Sequence, residues 1–262
     1  MAEDLRGSAE RMSERAGAAR EAMGERASVA REVAAGRAEA AKEAAADAIA
    51  VVKPKLRGVS HEWAFFVSLF LGAALVIAAK TPQATLAAAI YAISLSALLG
   101  TSALYHRVNW TRPSVRRWMR RLDHSMIFFL IAGTYTPFAL LVLDGPLADA
   151  ILVVVWAGAI AGAIVEMVWI DHPKWVAALI YMSLGWVAAV AFPELWDEMG
   201  VTGTLLVAAG GLLYTAGAVV YATQRPNPNP RVFGYHEVFH LLVIAAAAAH
   251  FAAVAFFALP AA

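Results

Sequence analysis

Residues 234–258 read GYHEVFHLLVIAAAAAHFAAVAFFA. From Leu241 onward the only polar side chain in this stretch is His250, and a run of that kind matches the roughly 18 to 24 residues that cross a ~30 Å hydrocarbon layer as a helix. In such a layer the backbone must satisfy its own hydrogen bonds, so the segment is helical. Working outward toward the N-terminus, comparable apolar runs recur from about Glu62. They place spans near 62–80, 84–106, 122–143, 147–169, 174–193 and 201–222 ahead of 234–258. The expected fold is all-α: a bundle of seven transmembrane helices over residues 58–262, with six or eight spans as the alternatives where a loop is short.

Composition agrees with this reading. Of the 262 residues 61% are hydrophobic and only 16% are charged, and the charges crowd into positions 1–57 and a few short loops. The net charge of +1 averages a mixed-charge arm with asymmetric loops, so it points to no nucleic-acid partner. With no cysteine in the chain, disulfides, thiolate metal sites and cysteine nucleophiles are excluded, and a metal would be held by nitrogen and oxygen.

Charge asymmetry sets the expected orientation. Arg107, Arg112, Arg116, Arg117, Arg120 and Arg121 lie between spans two and three, Lys53, Lys55 and Arg57 precede span one, and Arg225 and Arg231 lie between spans six and seven. Cytoplasmic loops carry such cations. Asp144, Asp149, Glu194, Asp197 and Glu198 occupy the alternate loops, and Lys80 is the contrary cation. The N-terminus is therefore expected in the cytoplasm and the C-terminus outside, in a multi-pass protein of the cell membrane whose first span acts as an uncleaved insertion signal. Residues 1–57 form an Ala-rich cytoplasmic arm and linker, with pairs such as Glu14-Arg15 and Glu25-Arg26. The arm has high helix propensity and little to bury, which suits a solvated or disordered segment, or else a helix on the membrane surface or on a partner.

Ionisable groups at membrane depth are costly, and each calls for a partner or a role. Here they gather at one layer. His61 and Glu62 open span one, His106 ends span two, Asp123 and His124 open span three, and His236, Glu237 and His240 open span seven. All of these are helix ends on the expected cytoplasmic side. His236 and His240 are spaced i, i+4, so both imidazoles leave one helix face and can hold one ion. His106 is the best-placed third nitrogen for a zinc site of three protein ligands with one open position; the alternative is three histidines that only hydrogen-bond at the interface.

Asp123 is the leading carboxylate to hold water or take its proton, since zinc lowers the pKa of water towards ~7; the competing reading is an ion pair with Arg120 or Arg121. Ser102, four residues before His106 on the same face, would bond water, a substrate oxyanion or Asp123, or would simply pack between helices. His236 to His240 also fits the H-E-x-x-H pattern of zinc proteases. In that pattern Glu237 is the general base, but it points about 100° away from His236 around the helix and would equally pair with an arginine.

The remaining polar residues are expected at the margin. His250 lies about 15 Å beyond His240 along the helix, too far to share its ion, and suits a buried polar contact. His172 reads as a turn residue, His124 as facing away from Asp123, His61 as either a supporting partner of the site or an interfacial residue, and Glu166 as the partner of a loop arginine.

Four pieces of the chain, Ser102-Ala103-Leu104-Tyr105-His106, Leu122-Asp123-His124, Ala132-Gly133-Thr134-Tyr135-Thr136-Pro137 and Phe233 to His240, together resemble the hemolysin III branch of the progestin and adiponectin receptor family, a group related to alkaline ceramidases. The resemblance covers about residues 58–258 and leaves out the arm; Ser60-His61 matches more loosely. It implies a seven-helix bundle with zinc near the cytoplasmic face, held by His106, His236 and His240 and supported by Asp123 and Ser102.

Three functions compete at this stage. The first is a zinc-dependent hydrolase acting on a lipid amide or ester. The second is a non-enzymatic, zinc-stabilised regulator, receptor-like or hemolytic protein, and the third an intramembrane metalloprotease. Membrane lipids are the expected partners and a lipid the expected substrate. A pore is disfavoured, because spans two and four to six lack a polar stripe.

Overall fold

The computed structural model describes residues 54–261 together with Met23, Ser28 and Ala34, which are helical and exposed. The rest of the expected arm lies outside the described residues. The chain divides into two compact units, Met1–Lys53 and Pro54–Ala262, and the second carries every element named below.

Among the described residues the fold is all-helical, with a lone β-type bridge between Asn229 and Phe233. The helices are α1 (Val59–Ala78), α2 (Pro82–Arg107), α3 (Pro113–Leu141), α4 (Gly145–Val168), α5 (Lys174–Gly185), α6 (Phe192–Thr223) and α7 (Tyr235–Ala253). Proline in the first turn opens α2, α3, α4 and α6, where its missing N–H costs nothing and its fixed φ suits the helix. The start of α2 is also capped by Thr81, whose hydroxyl accepts from the Ala84 N–H at 3.1 Å. Because α3 begins at Pro113, its arginine-rich first turns belong to the helix, and Asp123 sits roughly three turns inside it rather than at its opening.

Among the described residues, six helical stretches are long and apolar enough to cross a membrane. That is one fewer than the seven expected, because Lys174–Thr223 forms a single helical path of 50 residues. The path is not straight. It passes through a 3-10 segment at Trp186–Ala191 and through Gly200, whose φ of 65° and ψ of −177° belong to a region open essentially to glycine alone. The Trp186 indole donates to Thr215 Oγ1 at 3.1 Å across 29 residues, so α5 folds back along α6. The acidic stretch Glu194 to Glu198, expected as loop, is helical instead. Glu194 Oε1 accepts from the Asp144 N–H at 2.7 Å and ties two of the acidic connections together.

Large apolar side chains stand on the outside of the bundle, among them Phe70 at 76%, Ile77 at 83% and Val168 at 78% exposure. Water would penalise such a surface, whereas lipid is its natural solvent. Inside, small residues let the helices approach closely. A Cβ at Gly133 would collide with Ser94 on α2, and one at Gly162 with the Phe128 ring on α3.

Tyr135, from the Ala132–Pro137 motif, stitches the break after α5. Its hydroxyl donates to the Gly185 carbonyl at 2.6 Å and accepts from the Ala188 N–H at 2.6 Å, bracing the junction of α5 with the 3-10 segment. Tyr135→Phe removes both bonds, at about 0.5–1.5 kcal/mol for each. Thermal unfolding of the purified variant is expected to shift downward by several degrees; an unchanged midpoint would show that the junction stands without the tyrosine.

Candidate metal centre and the cavity below it

The segment ahead of α1 and the segment ahead of α7 run side by side. Lys55 and Leu56 donate their N–H groups to the carbonyls of Arg231 and Val232, both at 3.1 Å. This brings Arg57 to Glu237. Gly58, with φ of 78°, then turns the chain into α1 hard against α2, where a Cβ would come within 2.6 Å of His106 Cβ. The start of α1, the end of α2 and the start of α7 are thereby gathered at one end of the bundle, and α3 brings Asp123 to the same place.

His106, His236 and His240 each present a ring nitrogen, and these three atoms lie within 4.8 Å of one another. The Nε2 atoms of His106 and His236 face each other at 3.1 Å. Two nitrogens bound to one tetrahedral zinc at ~2.0–2.1 Å stand about 3.3 Å apart, so the pair is near ligand spacing. His240 Nδ1 is buried without a hydrogen-bond partner among the described residues. The two facing imidazoles form one N–H···N hydrogen bond when only one of them carries the hydrogen; three imidazole nitrogens gathered this closely also make a donor set that fits zinc.

Asp123 is buried and places Oδ2 3.5 Å from His106 Nε2. The competing pairing with an arginine is not formed by Arg120, which bonds Asp171 and the Ile170 carbonyl. The Ser102 hydroxyl lies 2.9 Å from His61 Nδ1. The His61 ring in turn stacks on His240, with centroids 3.7 Å apart and planes within 10°. His61 is thus a member of the cluster that the sequence left undecided, held by Ser102 and fixing the plane of a candidate ligand.

Glu237 is spoken for. Its Oε1 pairs with the Arg57 guanidinium and its Oε2 accepts from the Gly234 N–H at 2.7 Å, which caps α7. Both carboxylate oxygens are used away from the histidines.

A second polar cluster corrects the expectation for Glu166. Glu166, 1% exposed, pairs not with an arginine but with His172 Nε2 at 3.0 Å, His124 Nδ1 at 3.3 Å and the Tyr181 hydroxyl at 2.9 Å. His172 does sit in the turn after α4, yet it is buried and bonded. His124 borders the same cavity as Asp123, with its Nδ1 turned to Glu166. His250 behaves as expected, with Nε2 3.1 Å from the Val207 carbonyl.

His61, Asp123, His236 and His240 form the polar end of a cavity of about 250 Å³ that runs among apolar side chains such as Phe138, Leu195 and Val243 and reaches His250. A cavity of this kind, apolar with a few convergent polar groups at one end, has the make-up of a small-molecule pocket.

The sequence model of the Haemolysin-III related family matches residues 49–251, which contain every residue of both clusters. Hemolysin-3 of Bacillus cereus is 35% identical over 180 residues, 69% of this chain and 78% of that protein. Hemolysin-3 homolog of Bacillus subtilis (strain 168) is 30% identical over 168 residues, covering 64% and 75%. The human monocyte to macrophage differentiation factor is 29% identical over 168 residues, covering 63% and 67%. With its membrane-capable helices and this match across the whole bundle, the chain is a multi-pass membrane protein that belongs to the Haemolysin-III related family.

Proposed function

We propose that this protein is a zinc-dependent hydrolase of lipid amides or esters in the cell membrane, with zinc held by His106, His236 and His240. The bundle in this reading crosses seven times, Lys174–Thr223 contributing two crossings, with the N-terminus in the cytoplasm and the site at that face. Arg57, Arg107 and Arg120 lie at the same end of the bundle as the site, and that is where cytoplasmic cations belong.

One observation carries the proposal: three histidines at ligand spacing stand with a buried carboxylate beside them, and two of the three, His236 and His240, line one end of an apolar cavity together with that carboxylate. Zinc bound there would supply a Lewis acid that polarises a carbonyl and lowers the pKa of water towards ~7. Asp123 is placed to take a proton from the attacking water and return it to the leaving amine or alkoxide. The apolar cavity receives the acyl chain, orients the carbonyl at its mouth and excludes bulk water. Ser102 and His61 hold the His240 ring in plane, so Ser102 supports the site through His61.

A second reading, a zinc-stabilised regulator or membrane-perturbing protein without catalysis, is favoured by the names of the relatives, two of them hemolysins and one a differentiation factor. The two readings part on a direct measurement. Purified, zinc-loaded protein is offered a panel of ceramides, acyl-amides and acyl esters, and fatty acid release is followed with time. Release that disappears on metal chelation and returns on adding zinc is the expected result; intact lipid across the panel, with zinc still bound, would rule out the hydrolase.

A further inference from the structure

The far end of the cavity is not purely apolar. His250, 8% exposed, and Tyr214 both border it, with ring centroids 5.5 Å apart. His250 Nε2 faces the Val207 carbonyl at 3.1 Å. A carbonyl oxygen only accepts, so Nε2 carries the hydrogen and Nδ1 is left as a bare acceptor. That Nδ1 and the Tyr214 hydroxyl are both buried without a hydrogen-bond partner among the described residues. Room for the imidazole is made by Gly210 on α6, where a Cβ would collide with the ring.

Deep in a bilayer, an unpaired imidazole nitrogen and an unpaired phenol are each disfavoured relative to phenylalanine of similar shape. A pair of them beside one cavity is explained by a ligand group that satisfies both. A methylene satisfies neither, and a carbonyl only accepts, so it serves Tyr214 alone. A hydroxyl serves both, donating to His250 Nδ1 while accepting from Tyr214. His236, Val243 and His250 are spaced seven apart and so follow one face of α7 along the cavity. His250 lies about 15 Å beyond His240 and about 21 Å beyond His236. At about 1.25 Å per bond of an extended chain, that is roughly 12 to 16 carbons from a carbonyl held at the histidines.

We infer that Tyr214 and His250 form a hydroxyl-recognising subsite, which selects acyl chains carrying a hydroxyl roughly 12 to 16 carbons from the carbonyl. The inference rests on the reading of the histidine cluster as the place where the carbonyl of a lipid sits, and it names the class of chain that site would prefer.

The test is equilibrium binding to the purified full-length protein, by displacement of a fluorescent fatty acid. The ligands are hexadecanoic, 16-hydroxyhexadecanoic, 3-hydroxyhexadecanoic, octadecanoic and 12-hydroxyoctadecanoic acids. The 12- and 16-hydroxy chains are expected to bind about tenfold tighter than their unsubstituted parents, the size of one buried hydrogen bond. The 3-hydroxy chain is expected to gain nothing. Tyr214→Phe, which removes a single oxygen, and His250→Phe should each bring the preference within about twofold, with the affinity for hexadecanoic acid measured on the same variant as its reference; if His250→Phe does not fold, Tyr214→Phe decides alone. Equal binding of hydroxylated and plain chains, a preference that survives Tyr214→Phe, or no binding of any chain would overturn the subsite. Because binding is read without turnover, the two ideas fail separately. Selective binding with no hydrolysis of any lipid removes the hydrolase and keeps the subsite, and hydrolysis without hydroxyl preference does the reverse.

Discussion

Purified protein is expected to carry one zinc per chain, and replacing His106, His236 or His240 with alanine is expected to empty the site. Loss of groups that merely support a ligand already costs 10–100-fold in metal affinity, so loss of a ligand nitrogen should cost more than about a hundredfold. The facing Nε2 atoms of His106 and His236, 3.1 Å apart, share one hydrogen when no metal is bound and would each turn a lone pair to zinc when it is. His61→Phe gives the graded control. It keeps an aromatic ring against His240 but breaks the bond to Ser102, and should weaken metal binding by about 10–100-fold without abolishing it. Elemental analysis of each variant, with unfolding midpoints taken alongside, separates an emptied site from an unfolded protein. Zinc absent from the parent, or retained in all three alanine variants, would remove the metal centre from consideration.

How much of this was legible in the chain depends on whether a feature is local. The i, i+4 spacing of His236 and His240 is a property of one helix, and the gathering of His106, Asp123 and His61 at the same layer follows from counting apolar runs. The structure brings together residues that the sequence could only assign to a common depth. What depends on rotation about a helix or on contact between distant helices was not legible. Glu166 could be seen to be out of place in an apolar run, but its partners come from α3, α5 and the turn after α4, and nothing in their spacing connects them. An arginine partner was one of the two roles open to Glu237, but which arginine was not legible: a backbone pairing between residues 55–56 and 231–232 delivers Arg57 there. Helix boundaries failed where polar residues extend a helix beyond the apolar layer, as at Pro113 to Arg121, and where 3-10 geometry joins two helices through an apolar segment, as at Trp186–Ala191.

Asp123→Asn and Glu237→Gln should behave oppositely, and the contrast decides between lipid hydrolysis and proteolysis. Asp123→Asn keeps the shape and burial of the side chain but removes its ability to take a proton, and general-base losses of this kind lower kcat by about 10²–10⁴-fold. Metal content should hold within the 10–100-fold range of a supporting contact. Glu237→Gln leaves the histidines alone and weakens two structural bonds, to Arg57 and to the Gly234 N–H at the start of α7. Breaking a buried pair by neutralising one partner costs about 3–5 kcal/mol, so the unfolding midpoint should fall while lipid turnover below that temperature stays within about threefold of the parent. In an H-E-x-x-H protease the ranking is inverted, since there the glutamate supplies the base. Turnover that survives Asp123→Asn and vanishes with Glu237→Gln would therefore restore the protease reading, against a geometry in which both oxygens of Glu237 are already bound away from the histidines.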